Sequence, residues 1–136
     1  MENHSLPTDY MTLSEQNRKN AFEAVTSLLA NHSLAELPTA LFCHNDDIAL
    51  GALLAIQQAG LKIPQDISVT GFDDIAEASY SLPALTTIGG VMDAMASNLV
   101  NALDFAVKEQ PDRFFQSFIT PKLILRATTA MPRSNL

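Results

Sequence analysis

The order of apolar and polar residues along the chain predicts alternating helices and strands. Three segments carry apolar residues at helical spacing, which predicts helices over 14–30, 47–59 and 92–108. Two short apolar runs bounded by turn residues predict strands over 40–44 and 67–71. Helices that alternate with short strands in this way are typical of an α/β fold with a parallel sheet.

The last part of the chain is predicted to be mostly extended outside its helix. Residues 86–88 have an extended pattern, and Pro121 divides a further extended pair over 117–120 and 122–127. Turn-forming residues predict loops over 1–13 and 31–37. The pattern contains no repeat of a whole domain, and it therefore predicts one domain.

Two of the predicted strands end in polar residues. Asn45 follows the strand over 40–44, and Asp73 follows the strand over 67–71. The carboxyl ends of parallel strands meet at one edge of a sheet, which is where α/β proteins collect their ligands. We therefore expect Asn45 and Asp73 to lie on the same edge, close enough for one small polyol to bridge them.

Each of these polar tips has two interpretations. The amide of Asn45 could donate to and accept from a sugar hydroxyl, or one of Asn45, Asp46 and Asp47 could simply cap the helix that follows. The carboxylate of Asp73 could accept two hydroxyls of a diol, or it could satisfy local N–H groups of a turn. Spacing alone leaves both questions open.

A longer series of motifs runs through residues 38–130. It comprises Pro38-Thr39-Ala40, Asn45-Asp46, Ala49-Leu50-Gly51-Ala52, Gly60, Ile63-Pro64, Ile67-Ser68-Val69, Gly71-Phe72-Asp73-Asp74, Pro83, Leu85-Thr86-Thr87-Ile88 and Leu125-Arg126-Ala127-Thr128-Thr129-Ala130. So many short motifs in register form a specific signal. In this series the chain resembles the lac repressor and galactose repressor family of bacterial transcription regulators.

The resemblance implies a three-layer α/β sandwich with a parallel sheet, of the periplasmic-binding-protein-like type I class. In that fold two similar subdomains hold a sugar-like effector between them. Residues 1–136 would then form part of an effector domain, with a core over about 14–88 and with the helix over 92–108 and the strands over 117–127 crossing between subdomains. The first subdomain and the helix-turn-helix headpiece that contacts DNA are expected to be absent, so effector binding is expected to be weak.

The resemblance also assigns roles to particular residues. The residues that it places at the effector are Asn45, Asp73, Met92 and Tyr10. Met92 matches a cleft wall, although a helical Met is more often in a core, and Tyr10 matches an aromatic that stacks on a sugar, although its spacing to Asn45 is longer than usual. Asp46 and Asp47 would keep the role of helix cap.

Two apolar surfaces are expected to bind a second copy of the chain. In the resembled family the helix over 47–59 and the loop after Asp74 help to form a dimer, and the contact candidates are Leu50, Leu53, Leu54, Tyr80 and Leu82. The helix over 92–108 also carries an apolar stripe that needs a partner. We expect a homodimer or higher assembly that buries this stripe and an open sheet edge, and exchange of elements about Gly89 and Gly90 is one way to form it.

Composition argues against several classes of function. Eight Lys and Arg against 15 Asp and Glu, a net charge of −7, argue against nucleic-acid contacts by this chain. The one cysteine, Cys43, cannot form an internal disulfide and fits a reduced, cytoplasmic setting. The N-terminus lacks the features of a signal peptide and no segment is apolar for long enough to span a membrane, so we expect neither secretion nor membrane insertion.

Three functions remain as hypotheses. The first is the effector-binding and dimerisation part of a cytoplasmic transcription regulator, and the second is a periplasmic-type sugar-binding protein for uptake, which would need a secretory signal. The third is a phosphoacceptor domain, which would need an earlier acidic pair and a nearby lysine. The chain has no motif for catalysis, cofactor binding or metal binding, and its motifs favour the regulator.

Overall fold

A computed structural model describes residues 15–108 and 116–133. Within these residues the helices are α1 (Arg18–Asn31), α2 (Asp46–Gln58), α3 (Ala76–Tyr80) and α4 (Val91–Lys108). The strands are β1 (Ala40–Phe42), β2 (Ser68–Thr70), β3 (Thr87–Gly89) and β4 (Lys122–Ile124). Helices and parallel strands form the predicted α/β sandwich.

Three predicted helices and three predicted extended segments are confirmed, with shifts of a few residues at their ends. The short helix α3 lies between the strand predicted over 67–71 and the extended segment over 86–88, where no helix was predicted. The strand predicted over 117–120 is wrong, and the one over 122–127 is shortened to β4. Both differences follow from the short partner strand. β3 ends at Gly89, and the next residue, Gly90, has a φ of 77° and turns the chain into α4.

The strands form two pairs joined by one bridge. β1 and β2 are parallel, with Leu41 opposite Val69, and β3 and β4 are antiparallel. A single parallel bridge from Thr70 to Thr86 joins β2 to the residue before β3. The carboxyl end of β2 therefore lies between the end of β1 and the start of β3.

Helices α1 and α2 pack closely on each other and form much of the core. At Gly51 a Cβ atom would overlap the carbonyl oxygen of Arg18, so this contact requires glycine. Arg18 also donates to the carboxylate of Asp47 from its backbone N–H and from Nε, each at 2.9 Å. Most of the length of α2 is buried, as expected for a helix that is apolar nearly all round.

The C-terminal segment is tied back onto the sheet and the loops. The guanidinium of Arg133 donates to the carbonyl oxygens of Leu34, Leu37 and Asp66 at 2.5, 2.6 and 2.5 Å. The backbone N–H of Ala127 donates to Ala84 O at 2.8 Å. These bonds hold the residues after β4 in place without a regular strand.

Helix α4 is the least buried element. None of its described residues is buried, and its exposed apolar side chains are Met92, Met95, Leu99, Val100, Leu103 and Val107. The apolar stripe predicted for this helix is therefore exposed in the single chain. Of the helices in the described ranges, none has the length and apolar character needed to cross a lipid bilayer.

Candidate functional site

Asn45 and Asp73 lie on the same edge of the sheet, as predicted. Each follows the end of its strand by three residues, and the strands β1 and β2 are parallel neighbours. The 28 positions that separate Leu41 from its partner Val69 also separate Asn45 from Asp73. The two side chains therefore start from equivalent positions on adjacent loops.

Asn45 caps helix α2 with its side-chain oxygen, which leaves its side-chain NH2 group available to a ligand. Its backbone is extended, with φ of −149° and ψ of 175°, and its side-chain oxygen accepts from the backbone N–H of Ile48 at 2.9 Å. The assignment of this role to Asp46 and Asp47 was wrong, because both already lie within the helix. The side-chain NH2 of Asn45 has no bond to any described residue and can donate to a ligand.

Asp73 presents its carboxylate from an unusual backbone conformation. Its φ is 110°, a region that residues other than glycine rarely adopt. Its backbone N–H donates to Ile88 O at 2.8 Å, but its half-buried carboxylate accepts no bond from the residues that the structure describes. The alternative in which this carboxylate satisfies the N–H groups of its own turn is not observed.

Asp74, the residue after Asp73, makes a structural contact. Its carboxylate accepts from Nη2 of Arg126 at 2.6 Å, and Nη1 of the same guanidinium donates to Leu85 O at 2.8 Å. Both side chains of this ion pair are largely shielded from water. Arg126 therefore anchors one side of the turn that carries Asp73.

Asp46 anchors the other side of this turn, and sequence reasoning missed that role. It is fully buried, and its carboxylate accepts from the Thr87 hydroxyl at 2.5 Å and from the Ile75 N–H at 2.9 Å. Burial is the main cause that raises the pKa of Asp46, and the charge of Asp73 adds to it, whereas hydrogen bonds from Thr87, Ile75 and Asp74 oppose it. The nearest sequence signal is Gly71, where any Cβ would overlap this carboxylate.

Cys43, the residue after β1, has a buried thiol of low reactivity. Burial, with the nearby charge of Asp46, raises the pKa of the Cys43 thiol to about 12. Within residues 15–108 and 116–133, no group of His, Cys, Asp and Glu side chains could hold a metal ion.

The structure brings together two of the four residues predicted at the effector. Met92 lies in the first turn of α4 with 63% of its surface exposed, and its predicted contact with the cleft stays a prediction. Tyr10 lies outside the described residues. Asn45 and Asp73 therefore form the candidate site, with Asp46, Thr87 and Arg126 around them, and their contact with an effector stays a prediction.

The five predicted dimer residues line one groove of about 290 Å³ between α2 and α3. Leu50 and Leu53 are buried and form its floor, whereas Leu54, Tyr80 and Leu82 are exposed. Arg18, Gln57 and Glu77 add polar groups to its lining. The part of this groove in a dimer remains a prediction.

The sequence is similar to that of known transcription repressors. The model of the periplasmic binding protein-like domain matches residues 1–129. The HTH-type transcriptional repressor PurR of Escherichia fergusonii is 33% identical over 125 residues, which are 92% of this chain and 36% of that protein. PurR of Salmonella paratyphi B is 31% identical over 126 residues, again 36% of its length.

The fold is also similar to solved structures of such regulators. A LacI family transcriptional regulator from Lactobacillus casei with bound sucrose has a TM-score of 0.72 and 26% identity, over 83% of this chain and 41% of that one. A sugar-binding LacI family regulator from Escherichia coli, complexed with phosphate, has a TM-score of 0.72 and 32% identity, over 85% and 40%. The chain thus spans about two fifths of the length of these relatives.

Proposed function

This chain belongs to the periplasmic binding protein-like domain family, and on that premise we propose that it forms one wall of the effector site of a transcription regulator. The wall binds a small polyhydroxyl molecule without catalysis. Asn45 and Asp73 make the contacts, and the rest of the regulator supplies the opposing wall.

The observation that carries this proposal is the backbone conformation of Asp73. A carboxylate held at a strand end with φ of 110° costs backbone energy, on the order of 1–3 kcal/mol, that a merely structural turn would avoid. Such strain is found preferentially where a side chain must point at a ligand. Next to it, the NH2 of Asn45 donates while the carboxylate of Asp73 accepts, which suits neighbouring hydroxyls that do both.

The relatives favour a regulator over an uptake protein. Those named above are transcriptional repressors or LacI family regulators. Sucrose and glucose are bound in two structures of the Lactobacillus casei regulator, which supports a sugar-like effector for this chain as well. In a regulator the chain would function in the cytoplasm, in agreement with the single buried thiol of Cys43.

In this proposal, parts of the regulator other than residues 1–136 contact DNA. The net charge of −7 opposes binding to phosphates. Effector binding would act on DNA indirectly, by favouring one arrangement of the regulator over another. The regulator would act as a dimer, and the proposed contact between its two copies is the groove at Leu54, Tyr80 and Leu82.

Titration of the 136-residue chain with glucose and with sucrose tests the proposal. We expect weak, saturable binding, and we expect Asp73→Asn to weaken it by about 1.5–3 kcal/mol, the usual worth of a bond to a charged acceptor. Asp66→Asn is the matched control, because Asp66 precedes β2 and lies at the opposite edge of the sheet. Equal binding by the two variants and the unaltered chain would contradict the assignment of Asp73.

A further inference from the structure

We propose that Asp46 is the positioning residue that fixes the spacing between Asn45 and Asp73. This inference rests on the proposed function, because it concerns the same polar edge. Asp46 itself is fully buried and has no surface to offer a ligand. Its effect on binding must therefore pass through its neighbours.

The first observation is that Asp46 is bonded on both flanks of the turn that carries Asp73. Its backbone N–H donates to Phe72 O at 2.8 Å, and its carboxylate accepts from Ile75 N at 2.9 Å. Asp46 therefore holds both Phe72, the residue before Asp73, and Ile75, the second residue after it. Asp46 is also joined by a peptide bond to Asn45, so it connects both ligand-contacting residues.

The second observation is that the Asp46 carboxylate is itself fixed. The buried hydroxyl of Thr87 donates to Oδ1 at 2.5 Å, while Oδ2 accepts from Ile75. The two oxygens therefore have separate donors, and the side chain is held in one orientation. Gly71 supplies the space, because a side chain there would occupy the position of the carboxylate.

The third observation is the contrast with Asp47, the next residue of the same helix turn. Asp47 is half exposed and pairs with Arg18 at 2.8 Å on the α1 side. It has no bond to the turn over 71–75 in the described structure. A change at Asp47 removes the same charge from the start of α2 but leaves the turn alone, and this makes it a matched control.

The test compares Asp46→Asn, Asp47→Asn, Thr87→Val and Thr87→Ser in the 136-residue chain. An amide at position 46 cannot accept from both Thr87 and Ile75, and valine at position 87 removes one donor without a change of shape. Amide hydrogen exchange at Ile75 and the carboxyl carbon shift of Asp73 report on the turn without ligand. Titration with glucose and sucrose reports on binding, and circular dichroism confirms folding.

We expect Asp46→Asn and Thr87→Val to speed exchange at Ile75, to move the Asp73 carbon signal and to weaken sugar binding at least fivefold. Asp47→Asn should leave all three unchanged, and Thr87→Ser should restore them. The inference is wrong if folded Asp46→Asn or Thr87→Val leaves the turn signals as they were, or if Asp47→Asn changes them equally. Failure of the proposed function looks different, because Asp73→Asn would then not affect sugar binding while the exchange data still decide the role of Asp46.

Discussion

The hydroxyl of Thr128 donates to the carbonyl oxygen of Val69 in β2 at 2.7 Å. The hydroxyl oxygen of Thr128 accepts from the backbone N–H of Thr86 at 2.8 Å, and the carbonyl oxygen of Thr128 accepts from the backbone N–H of Val69 at 2.8 Å. A residue from the C-terminal segment thus completes the hydrogen bonds between β2 and the residues before β3. The fold of the polar edge depends on this connection.

Thr128→Val should therefore destabilise the chain. Valine keeps the shape of the side chain but leaves a buried donor and a buried acceptor without partners, which costs about 1–3 kcal/mol. The free energy of unfolding in urea measures the effect, with Thr128→Ser as the control that keeps the hydroxyl. A valine variant as stable as the serine variant would show that the bridge contributes nothing.

The stability contribution of Asp46 should depend on pH. Because burial raises its pKa in the folded state, the folded chain binds a proton more tightly than the unfolded chain between the ordinary value of about 3.9 and the raised value. The contribution of Asp46 is therefore greatest below the unfolded pKa and falls as pH rises through the folded one.

Urea unfolding from pH 3 to pH 7 measures this dependence, since the range begins below the ordinary pKa of about 3.9 and extends well above it. The stability of Asp46→Asn relative to the unaltered chain should improve as the pH rises. A relative stability of Asp46→Asn that falls with pH would mean that its hydrogen bonds outweigh its burial.

The Cys43 thiol should react only when the chain unfolds. With a pKa of about 12, the folded thiol is almost wholly protonated at pH 8, whereas an exposed thiol with a pKa of about 8.5 is partly thiolate. We expect alkylation by iodoacetamide to be slowed by roughly three orders of magnitude in the folded chain. Reaction at the same rate with and without urea would contradict the burial of Cys43.

Much of this fold could be predicted because its elements have strong apolar patterns. The position of Asn45 relative to Asp73 followed from the two strand ends, and the pairing of Leu41 with Val69 confirms it. The role of Asp46 could not be predicted in the same way. Its partner Thr87 is 41 positions away, and a polar residue at the start of a helix has the same local pattern whether it caps the helix or binds a distant strand.

The cap at Asn45 shows a second limit of sequence reasoning. The residue pattern offers capping and ligand binding as alternatives, but the side-chain oxygen of Asn45 caps the helix while its NH2 group is left for other partners. Local spacing does not say which atom of an amide is used. Likewise, the pattern over 117–120 suggested a strand, but the pairing depends on the length of β3.

The groove and the α4 stripe can be tested separately as dimer surfaces. Leu82 and Leu103 are 84% and 66% exposed, so Leu82→Asp and Leu103→Asp should leave the single chain folded. Each should weaken self-association if its surface is buried by a second copy, because a charge would then lose water. Sedimentation over a dilution series measures this.

Leu34→Asp is the control for both variants, since Leu34 is also partly exposed but lies in neither surface. We expect a tenfold or greater rise in the dimer dissociation constant for Leu82→Asp, corresponding to about 1.4 kcal/mol. An unaltered chain that is monomeric at all concentrations would contradict the assignment of both surfaces.

A nuclear magnetic resonance titration with glucose tests most directly whether Asp73 and Asn45 bind hydroxyl groups. We expect the carboxyl carbon signal of Asp73 and the side-chain NH2 signals of Asn45 to shift together with one saturation curve, while the carboxyl signal of Asp66 does not move. Saturable binding of glucose with unmoved signals at Asp73 and Asn45 would contradict this expectation.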